Sequence, residues 1–443
     1  MPGLATMKIL IAGGGIGGLA SALACATSGN AIQLFERSPD FAEVGAGIQL
    51  GPNVVKVLHG WGLAGALKTV AAFPDCLQVR SALTGNTLGR LSLGESAIQR
   101  YGFPYATVHR ADLHGLLLAA LEPYPNSTLR RNFSVKSFVQ DAQGVTVQLG
   151  RQPGDEAGAG ARGRVGAGGD AELDGQADQQ AVGQVGGRSS AHGDVLIGAD
   201  GLWSSVRSQL LNDGPPLATG HLAYRALIRQ TSMPAALRSG HITAWLGPKL
   251  HVVQYPVRGG EWLNVVGIVH GRVDGTLDNW NHAANAASFR TSLTGMCAPL
   301  QDLIQAIDAW RLWALCRRPS MRGPREQAQG RVALLGDAAH PMLPYLAQGA
   351  GMAIEDAAEL GRCLNESPPA GSGADITARL QRYARARWQR NARVQARALR
   401  NGQVFHATGL VRWGRDLSMA LLGERVLDMP WLYQDVQGPR PKN

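Results

Sequence analysis

A cluster of five glycines in Gly13–Gly18 (GGGIGG) lies between two apolar runs, and it constrains the fold of this chain more than any other feature. The run before it, Met7–Ala12, has the length and apolar character of a buried parallel strand. The run after it, Ile16–Ser28, is rich in small apolar residues and predicts a helix packed closely on a sheet. Asn30–Glu36 predicts the next strand, so the start of the chain is predicted to form a βαβ unit.

The spacing inside this cluster is that of a dinucleotide-binding turn, G-x-G-x-x-G. We expect Gly13 to allow the tight turn, Gly15 the close approach of the backbone to a pyrophosphate, and Gly18 the packing of helix on strand. The helix beginning at Ile16 would direct its free N–H groups at the phosphates. Glu36 ends the following strand, where an acid bonds the ribose hydroxyls of adenosine. We therefore predict a dinucleotide site; the alternative is a tight turn that binds nothing.

Two more acidic residues follow predicted strands later in the chain. Asp200 follows the strand in LIGADGLWSSVR, and Asp337 follows the strand in LLGDAAHPMLPYLAQGAGM. A carboxylate there can bond a ribitol hydroxyl, and a helix start at Gly349 and Gly351 can stabilise negative charge on a reduced flavin ring. These motifs narrow the predicted dinucleotide to a flavin. The alternative is that each carboxylate only caps the helix that follows it.

Composition excludes several other classes of protein. The chain has 443 residues, a length that suits roughly two or three ordinary domains, and its net charge is +10. Hydrophobic residues make up 45% of the chain, which argues against a disordered or fibrous protein. The five cysteines are scattered and include no C-x-x-C pair, so we expect reduced thiols in a cytoplasmic protein and no metal site. The uncharged stretch 9–26 contains five glycines, each costing a helix about 1 kcal/mol. We therefore expect neither secretion nor a membrane partner.

Two segments have unusual compositions. Residues 150–193 contain 13 glycines and no aromatic residue, so they cannot bury enough apolar surface to offset their ordering entropy. We predict a flexible low-complexity insertion, with an out-of-frame stretch as the alternative. The segment also matches the G-x-G-x-x-G pattern at Gly158–Gly163, but no predicted strand precedes this match, so we attribute it to the glycine-rich composition. Residues 375–400 carry eight arginines and predict a helix with a packed apolar stripe and a solvated basic face. Nucleic-acid binding is the less favoured interpretation of that face, and a positive field that attracts anionic substrate and cofactor is an intermediate one.

Six motifs in order resemble those of the class A (single-component) flavoprotein aromatic hydroxylases, which include 3-hydroxybenzoate 6-hydroxylases and salicylate 1-hydroxylases. The resemblance extends from about Lys8 to Tyr433 outside 150–193. Its motifs are GGGIGG with FER, EVGAGIQLGPN, VHRADLH, GADGLWSSVR, HVVQYPVRGGE and GDAAHPMLPYLAQGAGMAIEDA. The resemblance implies NADH or NADPH as a transient co-substrate, and FAD bound through Gly13, Gly15, Glu36, Arg37, Arg110 and Asp337.

The expected fold class is α/β (α+β overall): a Rossmann-like FAD-binding domain with a parallel sheet, an inserted antiparallel-sheet substrate domain and a C-terminal helical region. Between 218 and 270 apolar residues alternate with period two, which predicts the antiparallel strands. A single helix is predicted over Pro52–Leu67. The predicted boundaries are 1–72, 109–217 and 323–370 for the FAD-binding domain, 73–108 and 218–322 for the substrate domain, and 371–443 for the C-terminal helices.

The resemblance also implies a reaction. In this family NAD(P)H reduces FAD, dioxygen adds to the flavin, and the resulting hydroperoxide delivers an electrophilic OH to an electron-rich ring. The ring is most reactive as a phenolate, so a base or polar partner is needed near the substrate hydroxyl. By resemblance, His251 and Tyr255 serve the substrate; period two places them on one strand face, about 13 Å apart, with Gln254 on the other face. The alternative is that both are ordinary core residues.

The expected substrate is a small monocyclic aromatic with a hydroxyl and a carboxylate, similar to 3-hydroxybenzoate or salicylate. Pro344 departs from the 3-hydroxybenzoate 6-hydroxylases, which have Gln at this position, and this leaves the ring substituents open. One alternative is a ring hydroxylase for a 6-hydroxynicotinate-like or larger lipid-like substrate. Another, of a different class, is a non-catalytic flavin- or nucleic-acid-binding regulator. We expect dioxygen as a reactant and no nucleic-acid partner, and a homodimer is compatible with the sequence.

Overall fold

A computed structural model describes residues 6–39, 46–151, 184–185, 188–272, 277, 282–283, 286–366 and 375–434. The predicted insertion at 150–193 lies mostly outside these residues, so its character stays a prediction.

The strands of the described residues are numbered in chain order. They are β1 (Lys8–Ala12), β2 (Ala31–Phe35), β3 (Gly47–Leu50), β4 (Ala71–Ala72), β5 (Cys76–Ser81), β6 (Thr87–Ser92), β7 (Ala106–His109), β8 (Ser127–Arg130), β9 (Phe133–Gln140), β10 (Val145–Arg151), β11 (Gln184–Val185), β12 (Arg188–Gly193), β13 (Val195–Gly198), β14 (Leu217–Arg229), β15 (Ile242–Gly247), β16 (Leu250–Val257), β17 (Trp262–His270), β18 (His282–Ala283), β19 (Arg311–Arg317), β20 (Ala328–Gln329) and β21 (Val332–Leu334).

The helices of the same residues are numbered likewise. They are α1 (Ile16–Ala26), α2 (Pro52–Gly60), α3 (Ala64–Val70), α4 (Gly94–Tyr101), α5 (Arg110–Ala119), α6 (Ser205–Leu211), α7 (Ala286–Ser292), α8 (Ala298–Gln305), α9 (Pro324–Gln327), α10 (Gly349–Asn365), α11 (Ile376–Phe405), α12 (Gly409–Leu422), α13 (Glu424–Leu427) and α14 (Pro430–Tyr433).

A six-stranded sheet forms the first layer, in the order β20-β21-β13-β1-β2-β8. The pairings from β21 to β8 are parallel, and only the edge strand β20 is antiparallel. The central strand β1 is apolar on both faces, and Ile9, Leu10 and Ile11 are fully buried, as expected of a strand covered on both sides. The predicted βαβ unit and the α/β fold class are confirmed.

An eight-stranded sheet forms the second layer, in the order β18-β19-β14-β17-β16-β15-β5-β6. All its pairings are antiparallel except that of β5 with β15. The period-two segment at 218–270 supplies β14 to β17, as its alternation predicts. Two smaller sheets, β11-β12-β10-β9 and β3-β7-β4, complete the described strands.

The helix predicted over Pro52–Leu67 is wrong as a single element. The chain forms two helices, α2 and α3, because Gly62 adopts a φ of +79° between them. Such a conformation suits glycine and ends an α-helix. The apolar periodicity continued across the break, which is why the pattern alone suggested one helix.

The arginine-rich helix α11 is only partly the solvated basic face predicted from sequence. Arg387 is buried and pairs with Asp356 at 2.7 Å and Glu355 at 2.9 Å, both on α10. Arg390 also pairs with Glu355, at 2.7 Å. Burial would raise the pKa of Asp356, but His340 and Arg387 lower it below its usual range. The face of α11 towards α10 therefore carries buried ion pairs, because α10 contributes two fully buried carboxylates.

Candidate cofactor cleft and active site

A cleft of about 550 Å³ lies at the carboxyl ends of the parallel strands β1, β2, β13 and β21. In open α/β sheets, ligands bind at this edge. Nine of the eleven predicted cofactor residues line it. They are Gly13, Gly15, Ile16, Glu36, Arg37, Arg110, Asp200, Asp337 and Gly349.

The three glycines of the turn have different surroundings. Gly13 has a φ of +98°, and a Cβ there would lie 2.4 Å from the carbonyl oxygen of Ala199. A Cβ on Gly18 would lie 1.9 Å from the oxygen of Gly13, so this glycine serves the contact of α1 with the strand. A Cβ on Gly15 would meet nothing within 4 Å, since it would point into the cleft. Gly15 is therefore the position where a ligand can approach the backbone.

Glu36 holds the turn in place. Its Oε2 accepts a hydrogen bond from the N–H of Gly14 at 2.7 Å, and its Oε1 accepts one from Ser38 at 2.8 Å. On the opposite side, His114 Nε2 lies 2.7 Å from the carbonyl oxygen of Gly14. His114 is a cleft residue that the sequence analysis missed, and only its position in VHRADLH could have indicated it.

Two helices begin at the cleft. The first turns of α1 and α10 line it through Ile16, Gly349 and Ala350, so both positive helix ends face the same space. Asp337 is open to this space; desolvation by the surrounding protein raises the pKa of its carboxyl, while Arg110 acts in the opposite direction. The cleft thus combines N–H donors and cations suited to phosphate with a carboxylate suited to a hydroxyl.

Three predicted cofactor residues have structural roles in the described structure. Asp200 lines the cleft, but its Oδ1 accepts from the Ser204 hydroxyl at 2.5 Å and its Oδ2 from the Ser205 N–H at 2.8 Å, so it caps α6. Gly18 and Gly351 do not line the cleft. A Cβ on Gly351 would lie 2.8 Å from Val54, so this glycine allows α10 to pack on α2. Cofactor contact by these residues stays a prediction.

One face of the eight-stranded sheet carries both predicted catalytic residues. Residues opposite each other on paired strands share a face, and the register gives three rows across β14, β17 and β16. The rows are Ala223, Ile268 and His251; Arg225, Val266 and Val253; and Leu227, Asn264 and Tyr255. We call this the substrate face.

His251 is buried at one end of the substrate face, with 2% of its surface exposed. Its Nδ1 lies 2.8 Å from His406 Nε2, and its Nε2 makes no hydrogen bond to any described residue. Burial, with a smaller contribution from His221, lowers the pKa of His251 to about 3. The imidazole is therefore neutral at neutral pH, and one of its nitrogens is available to a substrate.

Tyr255 and Asn264 lie together at the other end of the substrate face. Tyr255 is 5% exposed, and its hydroxyl makes no hydrogen bond to a described residue. Asn264 Oδ1 accepts from the N–H of Gly47 at 2.7 Å, whereas its buried Nδ2 has no partner in the described part of the chain. Gln254 lies on the opposite face, as predicted, and accepts a hydrogen bond from Trp245 at 3.2 Å.

The segment between Asp337 and Gly349 connects the cleft with the substrate face. Both of these residues line the cleft. Between them, the turn Pro344–Leu346 places the ring of Tyr345 5.3 Å from that of His251 and packs Leu346 in one apolar cluster with Tyr255. The cofactor cleft and the substrate face are therefore neighbours.

Arg225, Asn264 and His406 belong to the site but were missed by the sequence analysis. Arg225 lines the cleft, and its guanidinium lies 4.9 Å from the ring of Trp313. A charged residue at an inward position of the period-two strand HLAYRALIR was a signal for Arg225. No local pattern indicated Asn264 or His406, because their positions depend on strand register and on how the end of α11 packs.

The cleft of the parallel sheet contains a glycine turn and two helix N-termini, and it lies next to an antiparallel sheet. These features define a dinucleotide-binding flavoprotein, and the open space at Gly15 fits FAD. The comparisons agree: the FAD binding domain family matches residues 268–398. The chain is 34% identical over 433 residues to the 3-hydroxybenzoate 6-hydroxylase of Polaromonas naphthalenivorans (strain CJ2), covering 97% of this chain and 96% of that protein.

Solved structures show the same architecture. A salicylate hydroxylase in a substrate complex has a TM-score of 0.74 at 25% identity, covering 97% of this chain and 96% of that one. Klebsiella pneumoniae HpxO, complexed with FAD and uric acid, has a TM-score of 0.76 at 24% identity, covering 96% of each chain. The chain belongs to the family of FAD-dependent aromatic hydroxylases, which are NAD(P)H-dependent monooxygenases. In the described residues, no helix combines the length and apolarity needed to cross a bilayer.

Proposed function

We propose that this enzyme hydroxylates a small monocyclic aromatic acid with a ring hydroxyl, and that His251 and Tyr255 bind opposite ends of it. The observation that carries the proposal is the substrate face, where two free polar groups flank an apolar middle formed by Ile268, Val266 and Val253. Such a floor suits one aromatic ring with polar substituents at its ends. FAD, when held by the glycine turn, Glu36 and Asp337, supplies the oxygen-activating chemistry.

His251 would accept the proton of the substrate hydroxyl at Nε2. A neutral imidazole can accept a proton at its unprotonated nitrogen, and this one is buried and neutral. Loss of the proton makes the ring electron-rich, which is what an electrophilic oxygen requires. Tyr255 and the free Nδ2 of Asn264 would hold the other end of the ring.

Arg225 is our candidate partner for the substrate carboxylate. It occupies the row between those of His251 and Tyr255, two strands from β16, so its Cα lies about 10 Å from that of Val253. Its long side chain lines the cofactor cleft. A guanidinium can bind a carboxylate through two parallel hydrogen bonds. This arrangement would select aromatic acids over neutral phenols.

The substrate is tested by product identity and coupling. Holoenzyme in air, with NADH or NADPH, is offered 3-hydroxybenzoate, salicylate and 6-hydroxynicotinate. His251→Ala should slow hydroxylation while flavin reduction continues and hydrogen peroxide accumulates. His241, a partly exposed residue that directly precedes β15 and pairs with Asp75, provides the control His241→Ala, which should hydroxylate as wild type does. An unchanged ratio of hydroxylated product to NAD(P)H consumed in His251→Ala would remove the catalytic assignment.

The role of Arg225 is tested with a pair of ligands. Arg225→Gln should raise the KM for 3-hydroxybenzoate about tenfold or more, because a charge-assisted pair contributes about 1.5–3 kcal/mol. The KM for the neutral 3-hydroxybenzamide should change little. Equal effects on the two ligands would show that Arg225 does not recognise the carboxylate.

We also propose a homodimer formed through α12. Leu410, Trp413, Leu417 and Leu421 are 89%, 69%, 59% and 74% exposed, and their spacing puts them in one stripe opposite the buried Arg415. Two such stripes can pack antiparallel about a two-fold axis, because each is its own complement. Trp413→Glu with Leu417→Glu should convert a dimer to a monomer in light scattering. A wild-type monomer would contradict this proposal.

A cytoplasmic location is proposed on the basis of the thiols. All five cysteines are free, and Cys25, Cys316 and Cys363 are buried. Free thiols persist in reducing compartments, where NAD(P)H is also supplied. Fractionation of cells that express the full chain would test this, and recovery outside the cytoplasm would contradict it.

A further inference from the structure

Four histidines come together at the His251 end of the substrate face. His221 and His270 face each other across β14 and β17, His251 lies on β16, and His406 follows the end of α11. His406 contacts two of the others at once. Its Nε2 lies 2.8 Å from His251 Nδ1, and its Nδ1 lies 3.0 Å from His270 Nε2.

The geometry is that of a hydrogen-bonded chain. The ring centroids of His251 and His406 are 5.0 Å apart, and those of His406 and His270 are 5.1 Å apart. Each N···N contact therefore lies nearly on the line between two rings. Nitrogens of His221, His270 and His406 do lie within 4.8 Å of one another. Ligands of one zinc ion would instead point at a common centre about 2.0–2.1 Å away.

The chain leads from the protein interior to its surface. His251 and His406 are 2% and 7% exposed, whereas His270 is exposed. At the inner end, Nε2 of His251 is free to meet a substrate hydroxyl. At the outer end, His270 can exchange protons with water.

The backbone around His406 holds its ring between the other two. Its N–H donates to Gly402 at 3.2 Å, and its carbonyl oxygen accepts from the N–H of Lys249 at 3.1 Å. The buried Arg415 donates to the carbonyl oxygens of Val404 and Phe405, at 3.1 and 2.7 Å. The Lys249 contact ties the end of α11 to the β15–β16 hairpin, and the Arg415 contacts tie it to α12, so together they position His406.

We propose that His251, His406 and His270 form a proton relay between the substrate hydroxyl and solvent; this inference rests on the proposed function. The substrate O–H bond breaks and an N–H bond forms at His251 Nε2, while the proton on Nδ1 passes to His406 Nε2. The proton on His406 Nδ1 then passes to His270 Nε2, and the one on His270 Nδ1 passes to water. Each ring ends neutral in its other tautomer. Reprotonation of the product hydroxyl runs the chain inwards and restores the first tautomers.

The charges around the chain favour transit over storage of a proton. Burial lowers the pKa of both His251 and His406. The pKa of His270 is lowered by burial and by the nearby cation Lys249. Arg415 adds a further cation beside His406. The neutral Tyr345, which lies 2.5 Å from His221 Nδ1, and His221 itself flank the chain without bridging it. A proton on the relay is therefore passed on and not retained.

Proton release on substrate binding tests the relay. Oxidised holoenzyme is mixed with 3-hydroxybenzoate in weakly buffered solution that contains a pH indicator. His270→Ala, at an exposed position, should fold normally and release the proton about tenfold more slowly or worse, and imidazole added to the solution should restore the rate. His406→Phe should be slow as well. The control is His221→Gln, which removes the neighbour that lies outside the chain and should match wild type.

Two results would overturn the relay. One is His270→Ala releasing its proton as fast as wild type at low buffer concentration. The other comes from holoenzyme labelled with 15N-histidine and needs no substrate: His406→Phe must shift the imidazole signals of both His251 and His270, and unchanged signals would show that the chain does not exist. If wild type binds none of the hydroxylated acids, the proposed substrate is wrong, and the 15N measurement still decides the chain.

Discussion

Gly15→Ala tests whether the cleft is the FAD site without disturbing the fold. The new methyl group would meet no protein atom within 4 Å. The backbone of Gly15 has φ −71° and ψ −175°, which alanine adopts freely. Loss of a glycine from this helix N-cap should therefore cost the FAD-free protein about 1 kcal/mol or less.

The same methyl group would occupy the space through which a pyrophosphate approaches the turn. Forcing an extra methyl into a filled contact costs about 1–3 kcal/mol. At 1.4 kcal/mol per tenfold, the dissociation constant of FAD should rise about five- to 150-fold. Titration of flavin-stripped protein, followed by quenching of flavin fluorescence, measures this constant.

Gly18→Ala is the matched comparison. Its methyl would lie 1.9 Å from the Gly13 oxygen, a backbone atom that cannot turn aside. Urea unfolding should show a loss of about 1–3 kcal/mol or more in the free energy of unfolding, well beyond that of Gly15→Ala. Unchanged FAD affinity in Gly15→Ala would refute the placement of the pyrophosphate. Equal destabilisation by the two variants would show that Gly15 is needed only for the turn.

Two further predictions concern stability. The pKa of His251 in the folded state lies far below its value in the unfolded chain, so the unfolded chain binds a proton first as the pH falls. The free energy of unfolding should therefore decrease from about pH 6.5 towards pH 3, by up to about 1.4 kcal/mol per pH unit. His251→Gln should flatten this decrease in urea unfolding measured from pH 7 to 5. Arg387→Leu removes the buried cation that Asp356 and Glu355 share, and it leaves His340 beside Asp356 and Arg390 beside Glu355. It should cost about 3 kcal/mol, whereas Arg385→Leu, at an exposed position of the same helix, should change stability by about 0.5 kcal/mol or less.

The parts of the fold that were predictable from sequence are those with a local signature. The glycine turn, its flanking strand and helix, and the period-two strands each depend on residues close in the chain, and each was confirmed. The buried arginines of α11 were not predictable in this way. Whether Arg387 is solvated depends on Glu355 and Asp356, which belong to another helix, and an arginine has the same local pattern in either case.

The candidate site shows the same division. Glu36, Asp337 and Gly349 follow strands or begin a helix, so their place at the cleft could be inferred from the order of elements. Arg225 and Asn264 reach the substrate face through the register of β14 and β17, and His406 through the docking of a helix end. No short sequence motif determines the positions of these three residues at the substrate face.

The register of β16 decides which chemistry the substrate face can offer. Because side chains alternate, a slip of one residue would replace His251 and Tyr255 with their neighbours on the other face. Two contacts oppose this slip: Gln254 accepts a hydrogen bond from Trp245 on the face opposite the substrate face, and the Thr107 hydroxyl donates to the backbone carbonyl oxygen of Pro256 at 2.5 Å. These contacts hold the register in which an imidazole, and not the aliphatic side chain of Leu250 or Val252, occupies the His251 position of the substrate face.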